Sequence, residues 1–239
     1  GQTVQSYGGG VCQVSTTLYN AVLRAELEVT QRSNHSMIVT YVKPSMDAAI
    51  AGDYKDLKFV NNLDAPIYIE GYTVGKDIYF NIYGQETRPS NRKVTYESEV
   101  VSEEDPGTRF VATGDAVGSI STTQGKHMGY VARLWKIVTV DGVEQSRDAI
   151  NKSTYKSSPK IVNVGTASAD PNATAAVNAA LATGDEATIY ATVAQYSGAG
   201  QTPAETPAET PADGSAEAAA ILGTVDESQI TENTTTEGQ

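Results

Sequence analysis

The chain has 239 residues, with 17 Lys and Arg against 29 Asp and Glu, and a formal net charge of −12 at pH 7. Residues 167–239 hold 11 acidic residues and no Lys or Arg, so residues 1–166 are almost neutral, with a net charge of −1. Without a basic stripe to neutralise phosphates, a nucleic-acid partner has little support. No apolar run approaches ~18 residues, so the sequence predicts no membrane span.

The single cysteine, Cys12, excludes an intramolecular disulfide, and one cysteine with two histidines argues against a structural zinc site. We expect neither a metal nor an organic cofactor. The chain begins with Gly1 rather than Met. We therefore expect a piece of a longer protein, truncated at its N-terminus, whose upstream portion and anchor lie outside this sequence.

The first predicted element is a helix over residues 14–26, because apolar residues recur there at helical spacing. Three glycines at positions 8–10 come just before Cys12, which places the thiol at or just before the first helical turn. Unpaired N–H groups and the helix dipole favour an anion at that position. A helix terminus contributes only about 0.3–1 kcal/mol, so ionising the thiol needs a second helper.

His35 is the candidate helper, because it lies in a polar segment, residues 32–36, just after the helix. A Cys/His pair supplies a thiolate nucleophile together with its own proton carrier. A lone cysteine is also commonly a small buried hydrophobic residue, and a single histidine a polar loop residue. Spacing alone leaves both interpretations open.

Beyond the helix, the sequence predicts an α+β region of antiparallel strands. Its strands are expected at residues 27–31, 37–42, 57–60, 67–72 and 78–83. A polar stretch around Pro89 marks a boundary, and residues 92–166 then alternate with period two, as in an elongated, thin all-β module. This gives a first domain over residues 1–86 and a second over residues 92–166.

From Ala167 onward the composition is rich in Ala, Thr, Pro and Glu, with a repeating Thr-Pro-Ala-Glu unit after residue 201. Such a composition buries too little apolar surface to order the chain, so residues 167–239 are expected to be a disordered acidic tail. Within it, residues 173–182 and 216–222 are expected to form only transient helix.

Residues 8–21, with the sequence GGGVCQVSTTLYNA, closely resemble the VanW family of bacterial cell-surface proteins. The resemblance extends over residues 1–86 through Arg32, residues 34–36, Tyr41-Val42, Asp47-Ala48 and residues 56–59. Residues 92–166 resemble the G-five domain, an extracellular β module. That likeness rests on residues 104–106, Gly114, Gly125, Gly129, Asp141-Gly142 and residues 164–166.

The VanW resemblance implies a peptidoglycan L,D-transpeptidase that links stem peptides through a cysteine acyl-enzyme. Carried onto this chain, it makes Cys12 the nucleophile and His35 the base, and the protein extracellular and wall-associated. The G-five resemblance implies adhesion to wall glycan, with N-acetylglucosamine as the suspected ligand. The expected partners are therefore peptidoglycan stem peptides and glycan.

The remaining site residues are assigned on weaker grounds. Asp47, with Asp56 as second choice, is expected to hold the imidazole, although an Asp near a turn often only caps a backbone. Arg32 binds a substrate carboxylate or forms a surface salt bridge, and the sequence leaves both open. The other expected substrate-binding residues are Gly10 and Gln13, beside the oxyanion donors, and the pocket donors Ser36 and Tyr41.

Two residues of the second module are assigned structural roles. His127 is expected at the surface, and Trp135 half-buried in a strand rather than stacked on a sugar. Three alternatives to the enzyme remain: a non-catalytic wall-binding adhesin or glycopeptide-resistance accessory protein, another acyl chemistry such as peptide hydrolysis, and a structural spacer.

Overall fold

The computed structural model describes residues 9–197. Helix α1 spans Val11–Arg24 and buries the face that carries Tyr19, Val22 and Leu23. It begins three residues before its predicted start, because Val14 already donates its N–H to the carbonyl of Gly10. It ends two residues early, and Glu26 then takes a left-handed backbone conformation with φ 56°, which turns the chain out of the helix.

Four strands follow helix α1 in the first part of the chain. Strand β1, Glu28–Gln31, pairs antiparallel with β2, Lys58–Val60. Strands β3, Tyr68–Val74, and β4, Asp77–Tyr83, form an antiparallel hairpin, and β4 lies against α1. The predicted α+β arrangement of a helix followed by antiparallel strands is confirmed.

One predicted strand is wrong, because residues 37–42 are irregular. Residues 37–39 are all half-buried, so no burial of alternate side chains enforces the period of two. Met46 then donates its N–H to the carbonyl of Lys43 at 3.1 Å, and Ser45 is left-handed with φ 68°. The segment is an irregular loop with a defined turn, and it leads the chain back towards α1.

The second part consists of two three-stranded sheets. Its strands are β5 Arg92–Glu104, β6 Thr108–Ala116, β7 Ile120–Gln124, β8 Gly129–Val140, β9 Val143–Tyr155 and β10 Lys160–Ala167. One sheet has the antiparallel order β5-β8-β9, and in the other β10 lies between β6 and β7. Asp141 and Gly142, both at positive φ, turn β8 into β9.

The two parts share a hydrophobic core. Leu134 of β8 is fully buried against Tyr19 and Leu23 of α1 and against Ala48. Tyr96 of β5 packs on the same cluster and donates its hydroxyl to the carbonyl of Leu23. The β5-β8-β9 sheet therefore serves as a wall of the first part's core.

The expectation of a disordered tail is wrong for residues 171–196, which form two helices. Helix α2, Pro171–Thr183, and helix α3, Glu186–Tyr196, bury Val177, Ile189 and Val193 against Val162 and Val164 of β10. The apolar face of the thin second sheet supplies the packing surface that alanine-rich helices lack in isolation. The rest of the predicted tail, including the helix at 216–222, lies outside the described residues.

Candidate active site

The site is organised by residues 47–50, which lie between the start of α1 and the loop of residues 32–36. On the helix side, Ser15 donates its hydroxyl to the carbonyl of Ala48 at 2.6 Å, and Ala48 donates its N–H to the hydroxyl of Thr16 at 3.0 Å. On the loop side, Ala49 donates its N–H to the carbonyl of Ser33 at 2.8 Å. Because Ser15 and Thr16 are buried polar residues, an apolar pattern does not reveal this helix face.

The carboxylate of Asp47 is fully buried and accepts four hydrogen bonds. Its Oδ2 accepts from the backbone N–H of His35 at 2.7 Å and lies 2.6 Å from Nδ1 of the same residue. Its Oδ1 accepts from Nη2 of Arg32 at 2.7 Å and from the hydroxyl of Tyr155 at 2.5 Å. Two carboxylate oxygens offer about four lone-pair sites, so this carboxylate is saturated.

Asp47 is an anion held in place rather than a proton acceptor. Burial raises the pKa of Asp47, but the hydrogen bond from His35, the charge of Arg32 and the hydrogen bond from Tyr155 together outweigh burial and leave the pKa lowered. With Asp47 on its Nδ1 side, the neutral imidazole of His35 carries its proton on Nδ1 and its lone pair on Nε2. The side chain of His35 is 18% exposed, so the ring reaches the surface.

Cys12 is the second residue of α1, in the first turn, and is half-buried. Its thiol donates to the carbonyl of Ile50 at 3.6 Å, at the opposite end of the segment that holds Asp47. Within residues 9–197 the thiol forms no hydrogen bond with His35. The structure thus brings the predicted nucleophile and base to the two ends of one four-residue segment without joining them.

Arg32 does not offer its guanidinium to a substrate. Its side chain is 6% exposed. Its Nε donates to the carbonyl of Asp47, its Nη2 to the carboxylate of Asp47, and its Nη1 to the hydroxyl of Ser153 at 2.8 Å. The salt-bridge interpretation therefore replaces the substrate clamp, and the ion pair is buried rather than at the surface.

The other expected substrate-binding residues are placed around the two ends of the segment. Gly10 caps α1 and Gln13 is half-buried in its first turn. The hydroxyl of Tyr41 lies 3.3 Å from Nε2 of His35, and the two rings meet edge to face. Ser36 is exposed, and its carbonyl accepts from the N–H of Lys156 at 2.7 Å.

Three further predictions concern residues away from the site. Asp56, the second choice to hold His35, instead accepts from the N–H of Leu57 at 2.8 Å and is half exposed. His127 is exposed, and Trp135 is half-buried with its indole N–H donating to Glu99 at 2.7 Å. Both residues of the second module are where the sequence predicts them.

Three residues that reach the site or its supports were not predicted from the sequence, and two of them belong to the second part. Ser153 and Tyr155 of β9 are buried, and Ser45 of the first part joins them. The N–H of Ser45 donates to the hydroxyl of Tyr155 at 2.7 Å, and the hydroxyls of Ser45 and Ser153 lie 2.7 Å apart. Tyr155 and Asp47 are 108 positions apart, and no pattern in the sequence links them.

Two cavities of the structure lie away from Cys12 and His35. One of about 320 Å³ is lined by Tyr19, Arg32, Lys136 and Asn151 among others, and one of about 640 Å³ lies between the end of α1 and β4. Neither is lined by Cys12 or His35.

The described part of the chain holds no group of three or more His, Cys, Asp or Glu side chains that could bind a metal ion. Over the same residues, 9–197, none of the helices has the length and apolarity needed to cross a membrane.

Comparison with known proteins addresses both parts of the chain. Residues 1–83 match the family described as VanW like protein, and residues 90–167 match the G5 domain. The chain carries a VanW-like segment followed by a G5 domain. The uncharacterized protein YoaR of Bacillus subtilis (strain 168) is 38% identical over 86 residues, which cover 36% of this chain and 28% of YoaR.

The chain therefore spans less than a third of the length of that relative. Among solved structures, the IgA1 protease G5 domain is 25% identical, covers 32% of this chain and 94% of its own, and has a TM-score of 0.26. The HP0197-G5 crystal structure is 20% identical over 30% of this chain and 99% of its own, with a TM-score of 0.17. The two family matches indicate a cell-wall-associated protein.

Proposed function

We propose that the VanW-like segment is a cysteine acyltransferase of the peptidoglycan L,D-transpeptidase type, and that the G5 domain keeps it on the wall. Cys12 is the nucleophile and His35 the proton carrier. The observation that supports this most is the buried carboxylate of Asp47, which orients the His35 imidazole at 2.6 Å in the segment that also accepts the Cys12 thiol. The match of residues 1–83 to the VanW family supports a role at the cell wall, where such a substrate lies.

The role of His35 follows from its tautomer. Because Asp47 holds the Nδ1 side of the ring, proton exchange is left to Nε2. The hydroxyl of Tyr41, 3.3 Å from that nitrogen, marks the side on which substrate groups approach. Nothing in this arrangement needs Asp47 to change its protonation, which agrees with its four donors.

The reaction consists of two acyl transfers. The Cys12 thiolate attacks the carbonyl carbon of the third residue of a donor tetrapeptide, a thioester forms, and the C–N bond to the terminal D-alanine breaks. His35 first takes the proton of the Cys12 thiol on Nε2 and then gives that proton to the departing amine. An acceptor amine from a second stem then attacks the thioester and gives a proton to His35, and the thiolate leaves as the new amide forms.

The start of α1 suits the negatively charged oxygen of each tetrahedral intermediate. The first N–H groups of a helix have no partner within it and point along the positive end of the dipole. Side chains built on Gly9 or Gly10 would meet no atom of residues 9–197 closer than 4.0 Å, so among these residues the space next to the two glycines is open. We assign that space to the backbone of the donor stem.

Attack requires the thiol to leave the carbonyl of Ile50. The donor–acceptor distance of 3.6 Å is that of a weak sulfur hydrogen bond, and a rotation about the Cα–Cβ bond of Cys12 releases it. Catalytic contacts commonly tighten only when substrate is bound. The proposal therefore requires the thiol to meet Nε2 of His35 or the substrate in the complex.

A second candidate function is that of a non-catalytic wall-binding protein. It rests on the same contact between the Cys12 thiol and the carbonyl of Ile50, interpreted as structural. A half-buried thiol bonded to a backbone carbonyl is also a structural cysteine, and the G5 domain alone accounts for attachment to the wall. In that case the Asp47–His35–Arg32 cluster only holds the loop of residues 32–36 against the helix.

One experiment separates the two candidates. The full chain is incubated with purified disaccharide-tetrapeptide, and products are followed by mass spectrometry. The enzyme predicts loss of alanine and formation of dimers, both absent in Cys12→Ser, while Cys12→Ser still binds isolated sacculi. Binding to sacculi with no product from the wild-type chain supports the wall-binding protein. Tripeptide without dimer at any acceptor concentration contradicts the transferase and indicates a carboxypeptidase.

A further inference from the structure

We infer that Tyr155 of the G5 domain is a positioning residue of the VanW-like site: its hydroxyl fixes Asp47, and through Asp47 the imidazole of His35. The candidate site is then incomplete without strand β9. The activity readout below rests on the proposed function, but the positional claim does not.

Tyr155 is placed for this role at the very end of β9. It is 2% exposed. Its hydroxyl donates to Oδ1 of Asp47 at 2.5 Å and accepts from the N–H of Ser45 at 2.7 Å. The hydroxyl therefore links the carboxylate of Asp47 to the backbone of Ser45, which lies two residues earlier in the chain. Tyr155 thus restrains both the side chain of Asp47 and the loop that precedes it.

The same face of β9 makes two more contacts with the VanW-like segment, because alternate residues of a strand face the same way. Ser153 accepts from Nη1 of Arg32 at 2.8 Å, and Asn151 donates to the hydroxyl of Tyr19 at 2.5 Å and to the carbonyl of Ser45 at 3.1 Å. Both partners of Oδ1 of Asp47 thus depend on this strand: Tyr155 directly, and Arg32 through Ser153.

Buried polar contacts such as these cost more free energy than an interface that only connects two domains would need to spend. A buried polar interface is commonly no more stable than an apolar one of the same size, and leaving one partner out is expensive. Burial, followed by the negative charge of Asp47, raises the pKa of Tyr155, so the hydroxyl keeps its proton and remains a donor. A permanent neutral donor on a buried carboxylate fixes its orientation without removing its charge.

The test compares Tyr155→Phe with Tyr96→Phe in the full chain. Tyr96 is the matched control, because its hydroxyl also runs from the second part to the first, but ends on the carbonyl of Leu23. The chain contains two histidines, so imidazole signals in nuclear magnetic resonance are few, and His127 is an exposed internal reference. The readouts are the Nδ1–H signal of His35 and, with disaccharide-tetrapeptide, kcat and KM.

We expect Tyr155→Phe to shift or broaden the His35 signal and leave that of His127 in place, with KM within about twofold and kcat lowered about tenfold, the size of one hydrogen bond to a charged group. Tyr96→Phe should leave both signals and kcat as in the wild type. An unchanged His35 signal in folded Tyr155→Phe overturns the inference, as does an equal change in Tyr96→Phe.

Ser153→Ala keeps the inference testable should Tyr155→Phe fail to fold. It removes the hydroxyl that contacts Arg32, Ser45 and Tyr155, and we expect a smaller shift of the same His35 signal; no shift counts against the role of β9. If the wild-type chain makes no product at all, the proposed function fails, while the His35 signals still decide the role of Tyr155.

Discussion

Two carboxylates of the VanW-like segment, Asp47 and Glu26, bind groups of the second part of the chain, and their surroundings differ. Asp47 is fully buried and accepts from an arginine, a tyrosine, a backbone N–H and an imidazole. Glu26 is 11% exposed and pairs with three cations, Arg88, Arg92 and Lys136. The first arrangement orients a titratable ring, and the second only joins the end of α1 to strands β5 and β8.

The partners show what each carboxylate does. Around Glu26, the side chains of Arg88, Arg92 and Lys136 are 39%, 24% and 27% exposed. Water can therefore solvate these cations if the carboxylate is lost. The side chain of Arg32 is only 6% exposed, so water cannot solvate its guanidinium in the same way. Where water can solvate the cations around an interface carboxylate, as at Glu26, the carboxylate only connects the two parts of the chain. Where water cannot solvate the partner, as at Arg32, the carboxylate fixes the geometry of the groups around it.

The largest expected effect is that of Asp47→Asn. It leaves the guanidinium of Arg32 buried without its counter-charge, which costs about 3–5 kcal/mol of unfolding free energy. It also releases the Nδ1 side of His35, so Cys12-dependent product falls below detection in whatever fraction stays folded. Urea denaturation and the product assay measure the two effects. A loss below about 1 kcal/mol would contradict the assigned role of this carboxylate.

Glu26→Gln should cost less, about 1–2 kcal/mol, because its three cations remain partly solvated. Gln keeps the shape of the side chain at a left-handed position, so the comparison isolates charge. We expect kcat and KM to match those of the wild type. A lowered kcat in this variant, or a stability loss as large as that of Asp47→Asn, would erase the distinction between the two carboxylates.

The smallest expected effect is a loss of unfolding free energy at acidic pH. Hydrogen bonding by Arg92, then by Lys136 and Arg88, lowers the pKa of Glu26 from 4.5 to about 2 against the effect of burial. A carboxylate with a depressed folded pKa adds stability that is present above the unfolded value and is lost as pH falls through the folded one. Wild-type stability should therefore decline between about pH 4.5 and 2.

In Glu26→Gln that decline should be shallower, because one contributing carboxylate has been removed, while the decline owed to Asp47, whose pKa is also lowered, remains. Urea titrations of both proteins at several pH values across the window measure the difference. Parallel curves would show that Glu26 carries no linked proton.

The sequence predicts the parts of this molecule that local physics governs. The helical apolar stripe led to α1, and period-two runs led to most strands, because burial of one face enforces those periods. The exception, residues 37–42, has no buried alternate face. Asp47 came from the resemblance to the VanW family, whereas Tyr155 and Ser153 came only from the structure, since a contact across more than 100 positions leaves no local pattern.

Helices α2 and α3 show a different failure. Asp170 followed by Pro171, and Gly184 followed by Asp185, are start and stop signals, and both aspartates cap their helices in the structure. The prediction of a disordered tail rested on composition without these signals, and the sequence gives no sign that Val162 and Val164 are covered by helices.

The most direct test of the central claim is to look for the acyl-enzyme itself. The full chain is mixed with disaccharide-tetrapeptide without an acceptor, quenched in acid, digested and examined by tandem mass spectrometry. We predict a thioester-linked tripeptide on the peptide that contains Cys12, at lower yield in His35→Ala and absent in Cys12→Ser. An unmodified Cys12 in a reaction that nevertheless releases alanine would contradict the account.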